Sequence, residues 1–599
     1  MSLFEEKSLL RERLGYNFLL FLIVALFCIF AVRLWYLQVY KAEYFFEKAQ
    51  DNVQRRQLVY APRGLFLDRE GRLLAVNEPS YSLALVREDT PDIDRTLKQV
   101  SRWTNIPLEK LRDEFERGRT MVRSFEKQVL VSNLSYELLT RVETEVPYWP
   151  GVRVMVQPRR KYLQGEVFSH VLGYVAQASE EELRKDPGLR LGDNVGKHGL
   201  ELTMEQTLRG TKGLKQQEVD AAGRVLREQI LQYPESGQDV QLSIDLDLQE
   251  HIYSRMQGKT GAVVVLDADT GQVRALVSTP GYDNNKFVFG ISHADWRDLI
   301  DDPHRPLRNR TIQNAYPPGS VLKPVMAALG LEEGFDPEEE IFCRARYRLG
   351  NRVFRCWHHH GDVDMNKALV QSCDTYFYKL ARKLGVDKMS PFAKNSGLGK
   401  PTGINLPHER AGIIPDREWK LRNVGEAWRG GDNLNMVIGQ GFLQTTPLQM
   451  AVFTAALANG GTLYRPSLLL EEKRLDPEPL PWQEKTLDFI YQAMVDTVEK
   501  ERGTARRLQT RDAEVGGKTG TAQVVRLMPE HEEDELEAVD YWFRHHGWMI
   551  SFARQGDENY AVATLVEHGG SGSRSAGPVV KSIYDYLFTP EKVVTEALP

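Results

Sequence analysis

The chain has 599 residues and a mass of 68.5 kDa, too long for one typical hydrophobic core, so two or three domains are expected. Hydrophobic residues make up 42% and charged residues 27%, the values of an ordinary globular protein. A net charge of -6 with no block of consecutive Lys and Arg leaves no electrostatic footprint for nucleic acid, and that class of partner is excluded.

The first element is the apolar run Phe18 to Val32, followed after Arg33 by Leu34, Trp35, Tyr36 and Leu37. With Arg33 snorkelling to the interface, the stretch reaches the roughly 20 residues that span a bilayer. Trp35 and Tyr36 then fall where an interfacial aromatic belt belongs. A buried helix or a cleaved signal peptide is the alternative. Bulky residues continue where a small-x-small cleavage site would lie, so an uncleaved anchor over residues 18–40 is predicted. Lys7, Arg11 and Arg13 precede it. The positive-inside rule counts Lys and Arg rather than net charge, and it puts residues 1–17 in the cytoplasm and the rest outside as one extracytoplasmic body.

Residues 41–238 mix short strand patterns (LVYAPRGLFLD, SYSLALV) with charged helical stretches and carry no internal repeat. At Asp239 the character changes. GAVVVLDADTGQVRALVST reads as two apolar strands flanking an Asp-Thr-Gly turn, the opening of a second domain over 239–590, with 591–599 as a tail. Gly547 to Ala553 and Tyr560 to Glu567 read as adjacent strands and Pro578 to Phe588 as a last helix. A sheet built from both ends of the domain with helices between them is an α+β arrangement. The acidic stretch His531 to Asp540 reads as a solvated loop.

The segment Tyr316-Pro-Pro-Gly-Ser-Val-Leu-Lys-Pro places Ser320 and Lys323 three residues apart. If a helix begins near Ser320 the two share a face, and a desolvated lysine can take the proton that makes a hydroxyl nucleophilic. Ser-x-x-Lys recurs at Ser124 and Lys127, and Lys-Thr-Gly at Lys259 as well as Lys518. Order decides between the copies. Only Ser320, Ser372 and Lys518 fall as Ser-x-x-Lys, then Ser-x-Asp, then Lys-Thr-Gly within one domain. No zinc-hydrolase motif is present, because His531-Glu532 has no second histidine at the required offset. Neither Gly-Lys-Thr is preceded by the glycine of a nucleotide-binding loop.

YPPGSVLKP, SCDTYFY and GGKTGTAQ, in this order behind a membrane anchor, resemble the class B penicillin-binding proteins. APRGLFLDREGRLLAVN and GLELTMEQTLRG resemble the non-catalytic N-terminal module of the same family, so the likeness covers nearly the whole chain. It implies a single transmembrane helix, an elongated α+β pedestal and a C-terminal transpeptidase domain with a serine β-lactamase-like sheet flanked by helices. It also implies a peptidoglycan D,D-transpeptidase, with a D,D-carboxypeptidase side activity, on the periplasmic face of the inner membrane. Ser320 would attack the penultimate D-Ala carbonyl of a stem pentapeptide, with Lys323 as base and Ser372 relaying the proton. Lys518, Thr519 and Thr521 would hold the terminal carboxylate, and the N–H groups of Ser320 and Thr521 would form the oxyanion hole. Gly520 would allow close approach of the substrate strand.

The family pattern at the middle motif is Ser-x-Asn, whereas this chain has Ser372-Cys373-Asp374. An acid there accepts from a lysine but cannot donate like an amide unless protonated. This departure resembles the elongation subgroup, penicillin-binding protein 2. Cys343, Cys356 and Cys373 fall in one short region with His358 to His360 between them. They read either as a disulfide plus one buried thiol or as a closed structural zinc site of three thiolates and one imidazole. Some elongation-type relatives hold zinc at a similar place, and by that analogy His360 is the fourth ligand. No cofactor is expected for the chemistry itself.

The large N-terminal module and the anchor argue against a β-lactamase. The few residues before Phe18 cannot supply the output domain of a β-lactam sensor. A division-type transpeptidase is the nearest competitor, against which Ser-Cys-Asp and the cysteines favour elongation. No module of glycosyltransferase size is visible. The resemblance therefore implies a SEDS-type polymerase of the RodA kind within an elongation complex as partner, besides stem peptides on lipid-linked precursor strands and β-lactams.

Overall fold

The computed structural model describes residues 3–45, 54–119, 122–219, 225–288, 290–471, 477–524 and 540–588. The tail 591–599 and all of the acidic stretch except Asp540 lie outside them. From Tyr16 to Trp35 no glycine or proline interrupts the sequence, and a helix runs Leu3–Trp35, continuing as a π-helical turn Tyr36–Tyr40. Gly15–Tyr40, 26 residues with a mean hydropathy of 2.7 and no burial, is long and apolar enough to cross a membrane.

The described residues form two compact units, one from Met1–Ala61 with Gly210–Ser236 and one from Pro62–Arg209 with Gly237–Pro599. In the first, Gln54–Val59, Gly213–Val219 and Val225–Gln232 make a three-stranded antiparallel sheet.

The second unit holds two five-stranded sheets, besides smaller two-stranded ones. In one, Leu73–Val86 pairs antiparallel with Val152–Tyr162 from Ala75 to Leu85, and with Lys127–Val131. The helices Ile93–Thr104, Leu108–Arg119 and Tyr136–Glu145 cover it through Leu97, Val100, Trp103, Leu111, Phe115 and Val142. Near its other end Glu201, with no exposed surface, meets Arg63 Nε at 2.6 Å and Arg160 Nε at 2.7 Å, and accepts from the Tyr162 hydroxyl at 3.2 Å. Burial opposes its charge, but the two guanidiniums hold Glu201 below the usual carboxylate range. Asn285 closes both backbone groups of Tyr162 at 3.0 Å and Gln249 donates to the Val167 carbonyl at 3.1 Å. These bonds border an apolar core in which Phe66, Leu74, Phe168 and Leu172 meet Val264, Leu266 and Leu276, so this sheet and the second one pack as one unit.

The second sheet is fully antiparallel, in the order Val273–Thr279, Gly261–Asp267, Glu558–Val566, His546–Gln555, Glu514–Ala522. Its first two strands come from the start of the region and the other three from the end, as the alternating α+β pattern predicts. Both faces are covered, which is why the strands read as apolar runs rather than strict alternations. Val263, Val265, Ala275 and Val277 meet the helices Leu246–Arg255 and Gly577–Phe588 on one side. Val264, Leu266 and Leu276 join the larger core with the helix Pro447–Ala458 on the other. Between the two sets of strands lies a helical lobe that includes Lys323–Glu332, Met365–Val370, Asp374–Leu384 and Glu484–Glu499.

Glu201→Ala removes the carboxylate from Arg160, which keeps its bond to the Gly64 carbonyl at 2.7 Å. It is expected to destabilise the protein by about 3 kcal/mol, the lower end for breaking a buried pair, since Arg63 keeps Glu205. Denaturant unfolding of parent and variant measures this. A change below about 1 kcal/mol would show the network to be dispensable.

Candidate active site and metal cluster

Ser320 lies in a 3-10 turn, Gly319–Leu322, that runs directly into the helix Lys323–Glu332, with Pro324 in the first helical turn where its missing N–H costs nothing. The turn is pressed between two other segments. Gly319 has φ +59, and a Cβ on it would lie 2.5 Å from the Thr521 carbonyl oxygen; its N–H donates to the Gly439 carbonyl at 2.9 Å. The space a Cβ would need at Gly520 is taken by Val321 Cγ1 at 2.9 Å and the Pro318 carbonyl oxygen at 3.0 Å. Glycine at 520 is thus demanded by packing of the strand against the Ser320 turn, a constraint distinct from the substrate approach expected from the sequence. Trp548 is core, with no exposed surface, and donates from Nε1 to the Pro317 carbonyl at 3.0 Å. Upstream, the Tyr316 hydroxyl donates to Glu567, whose carboxylate is also paired with buried Arg310 at 3.0 Å.

Lys323 is completely buried. Its ammonium donates to the Ser372 carbonyl at 2.8 Å, the Ser372 hydroxyl at 3.1 Å and Asp374 Oδ1 at 2.6 Å, and lies over the Phe377 ring, 5.3 Å from its centre. All three N–H bonds are used. Burial pushes the Asp374 carboxyl up, and Lys323 pulls against that. Ser372 itself, 7% exposed, has φ 56, the left-handed region that glycine usually fills at a helix C-terminus.

The Lys-Thr-Gly motif lies in Glu514–Ala522, the edge strand of its sheet, with Lys518 opposite Ile550 and Thr521 opposite Gly547. Lys518 is fully buried; burial and the nearby charge of Lys323 push it well below the ordinary lysine range, with Asp374 opposing.

Ser320, Ser372, Asp374, Thr519, Gly520 and Thr521 line one cleft of about 570 Å³. Lys323 and Lys518 lie buried, outside its lining. Lys127 and Lys259, from the duplicate motifs, do not line it. The lining also includes residues that sequence reasoning missed, among them Trp357, Gln440, Thr504, His545 and Ser571. Gln440 lies between two positive-φ glycines, Gly439 and Gly441, and donates to the Thr521 carbonyl at 3.0 Å. That Gly-Gln-Gly turn is the one local signal that could have exposed it.

The cysteines meet beside this cleft. Ile341–Cys343 pairs with Gly361–Val363, placing Cys343 opposite Gly361 and next to His360. The hairpin of Arg346–Leu349 and Arg352–Arg355 inside it returns the chain to Cys356. Cys373 is the N-cap of Asp374–Leu384. Cys343, Cys356, His360 and Cys373 are all buried, with one ligand atom each within 4.8 Å of every other. His360 Nδ1 lies 3.5 Å from both Cys343 Sγ and Cys356 Sγ, and its Nε2 is buried without a partner. The three thiols are free. Hydrogen bonds from Cys373 and His360 hold the Cys356 thiol far below its ordinary range, and contact with Cys356 pushes Cys373 up. Burial lowers His360, but its bonds to Cys356 and Cys343 prevail and raise it. Tetrahedral zinc at about 2.3 Å from sulfur and 2.0–2.1 Å from nitrogen needs its ligands about 3.5–3.8 Å apart. The donor set fits that ion, and the 3.5 Å separations of His360 Nδ1 from Cys343 Sγ and Cys356 Sγ match its nitrogen–sulfur spacing.

The covered antiparallel sheet, the helical lobe and the Lys-Thr-Gly edge strand beside a serine turn define a penicillin-binding transpeptidase fold. Residues 261–585 match the family described as the penicillin binding protein transpeptidase domain, and 58–242 the penicillin-binding protein dimerisation domain. The chain belongs to the class B penicillin-binding proteins, in their elongation-type group, penicillin-binding protein 2. It is 34% identical to the peptidoglycan D,D-transpeptidase MrdA of Acinetobacter baumannii, over 98% of this chain and 89% of that one. Among solved structures it is similar to the PBP2 of a complex with MreC from Helicobacter pylori, with a TM-score of 0.81 and 30% identity, covering 89% of this chain and 99% of that chain. It is also similar to a chain of a peptidoglycan synthase complex that coordinates polymerization and crosslinking, with a TM-score of 0.71 and 28% identity, covering 97% and 99%.

Gly319→Ala puts a methyl group against the Thr521 carbonyl at a left-handed φ, and is expected to cost about 2 kcal/mol or more. Thermal unfolding measures the loss, and hydrogen exchange should show the amides of Glu514–Ala522 opening faster than in the parent. Unchanged exchange there would mean that the turn and the strand are not mutually supporting.

Proposed function

We propose that this chain is a peptidoglycan D,D-transpeptidase that cross-links stem peptides through an acyl-enzyme on Ser320 during cell-wall elongation and the maintenance of cell shape. The observation that carries the reading is the convergence of Ser320, Ser372, Asp374 and Thr519 to Thr521 on one cleft above two buried lysines. The edge strand Glu514–Ala522 offers backbone groups to an extended stem peptide, with Lys518 supplying positive charge beneath its terminal carboxylate and Thr519 and Thr521 adding hydroxyls. Ser320 Oγ attacks the penultimate D-Ala carbonyl, and the N–H groups of Ser320 and Thr521 receive the developing oxyanion. Lys323, bonded to the Ser372 hydroxyl, takes part in moving the serine proton through that hydroxyl to the amine of the leaving D-Ala. Asp374 keeps the Lys323 charge compensated. An amine of a neighbouring stem peptide then attacks the ester and releases Ser320.

We also infer a structural zinc held by Cys343, Cys356, His360 Nδ1 and Cys373, which cross-links two hairpin ends to the helix that follows Ser372. Residues 1–17 are assigned to the cytoplasm, 18–40 to a single-pass anchor in the inner membrane, 41–238 to the pedestal and 239–590 to the periplasmic catalytic region. Strand polymerisation is assigned to a SEDS-type partner within an elongation complex, in line with relatives solved with MreC and within a synthase complex.

A fluorescent penicillin is expected to give a stable one-to-one adduct on the parent and none on Ser320→Ala, read by intact-protein mass spectrometry. Rapid release of hydrolysed drug would contradict the reading in favour of a β-lactamase. Because Lys518 is depressed and must be charged to attract a carboxylate, acylation should fall as pH rises through a value well below that of an ordinary lysine. In Lys518→Arg this alkaline limb should leave the measured range; an unchanged limb would assign it to another group. Metal analysis should give one zinc per chain, and cobalt substitution a thiolate charge-transfer band that Cys343→Ser abolishes. A metal-free chain with a disulfide among these cysteines would overturn the zinc assignment.

A further inference from the structure

Trp357 has no part in the chemistry above, yet it stands between the cluster and the cleft. It follows Cys356 directly, its ring is 5.3 Å from that of His360, and it lines the cleft with 55% of its surface exposed, unusual for a tryptophan in a packed lobe. Its indole N–H is not free. Nε1 donates to the Gln371 carbonyl at 3.1 Å and the Ser372 carbonyl at 3.2 Å.

Those carbonyls end the helix Met365–Val370. The chain closes there with the Cys373 N–H on the Ala368 carbonyl at 2.9 Å and the Ser372 N–H on the Leu369 carbonyl at 3.3 Å. This closure puts one residue in the left-handed region, normally a glycine, and here that residue is Ser372 at φ 56. A non-glycine residue persists in such a conformation only where its surroundings hold it. Two donors do so from opposite elements, Lys323 Nζ at 2.8 Å and Trp357 Nε1 at 3.2 Å, both on the Ser372 carbonyl. Cys356 and His360, at the two ends of the pentapeptide that carries the indole, belong to the buried cluster and pin it.

We propose that Trp357 is a positioning residue for acylation: its indole N–H holds the strained turn at Ser372, and with it the Ser372 hydroxyl beside Lys323, while its exposed ring forms a wall of the substrate cleft. The inference rests on the reading of Ser320 as the acylated nucleophile and gives the cleft a specificity element that none of the three motifs contains.

The test uses the full-length protein in detergent and resolves penicillin acylation into the drug dissociation constant and the limiting rate. Trp357 is replaced by alanine and, separately, by its benzothiophene isostere, which deletes the N–H alone. The isostere is expected to lower the limiting rate about tenfold with the dissociation constant within twofold, and Trp357→Ala to weaken binding in addition. In a Ser372→Ala background, deleting the N–H should change the limiting rate by less than twofold, because the hydroxyl it positions is gone. A parental limiting rate in the isostere overturns the proposal, as does the same tenfold loss in both backgrounds, which would mark Trp357 as merely structural. Absence of any Ser320 adduct on the parent would instead remove the underlying reading.

Discussion

The Lys323 ammonium is tolerable at the centre of the domain only because three acceptors meet it, the carbonyl and hydroxyl of Ser372 and the carboxylate of Asp374. An uncompensated buried charge would cost several kcal/mol. The pair therefore ties the helix that begins after Ser320 to the Ser-Cys-Asp turn, and a second buried lysine, Lys518, lies within reach of both charges. The glycines at 319, 439 and 520 serve the same convergence, since each lies where a side chain would collide with the neighbouring segment.

The cluster of Cys343, Cys356, His360 and Cys373 extends this logic outward. Cys373 separates the two residues that meet Lys323, and Cys356 accepts the Asp374 N–H at 3.2 Å. A metal-held knot here would stabilise the motif from behind, much as the Glu567 carboxylate, shared by Tyr316 and Arg310, steadies the approach to Ser320. Covered sheet, ion pair and thiol cluster thus form concentric supports around one half-buried serine.

What was legible in the sequence was whatever sits in a short local pattern. The Asp-Thr-Gly hairpin, the late strands and the last helix follow from apolar runs and turn residues, and the three motifs follow from order. The α+β architecture and the family followed from the same stretches. Trp357, Gln440 and Glu567 were not legible, because their importance comes from carbonyls and side chains tens to hundreds of residues away. The change of character at Asp239 likewise did not reveal that Pro62–Arg209 packs with the catalytic region. That packing joins Phe66, Leu74, Phe168, Leu172 and Leu200 to Leu242, Val264 and Leu276 in one apolar core, with Asn285 and Gln249 bonding across it, and contacts so far apart in sequence leave no local signature.

The central claim is that an amine, and not water, takes the acyl group from Ser320. It is tested most directly by giving the full-length protein uncross-linked glycan strands bearing pentapeptide stems and analysing the digested products by mass spectrometry. The account predicts D-Ala release matched by cross-linked stem dimers, both abolished in Ser320→Ala. D-Ala release with only tetrapeptide monomers formed would contradict it, because the acyl-enzyme would then be resolved by hydrolysis.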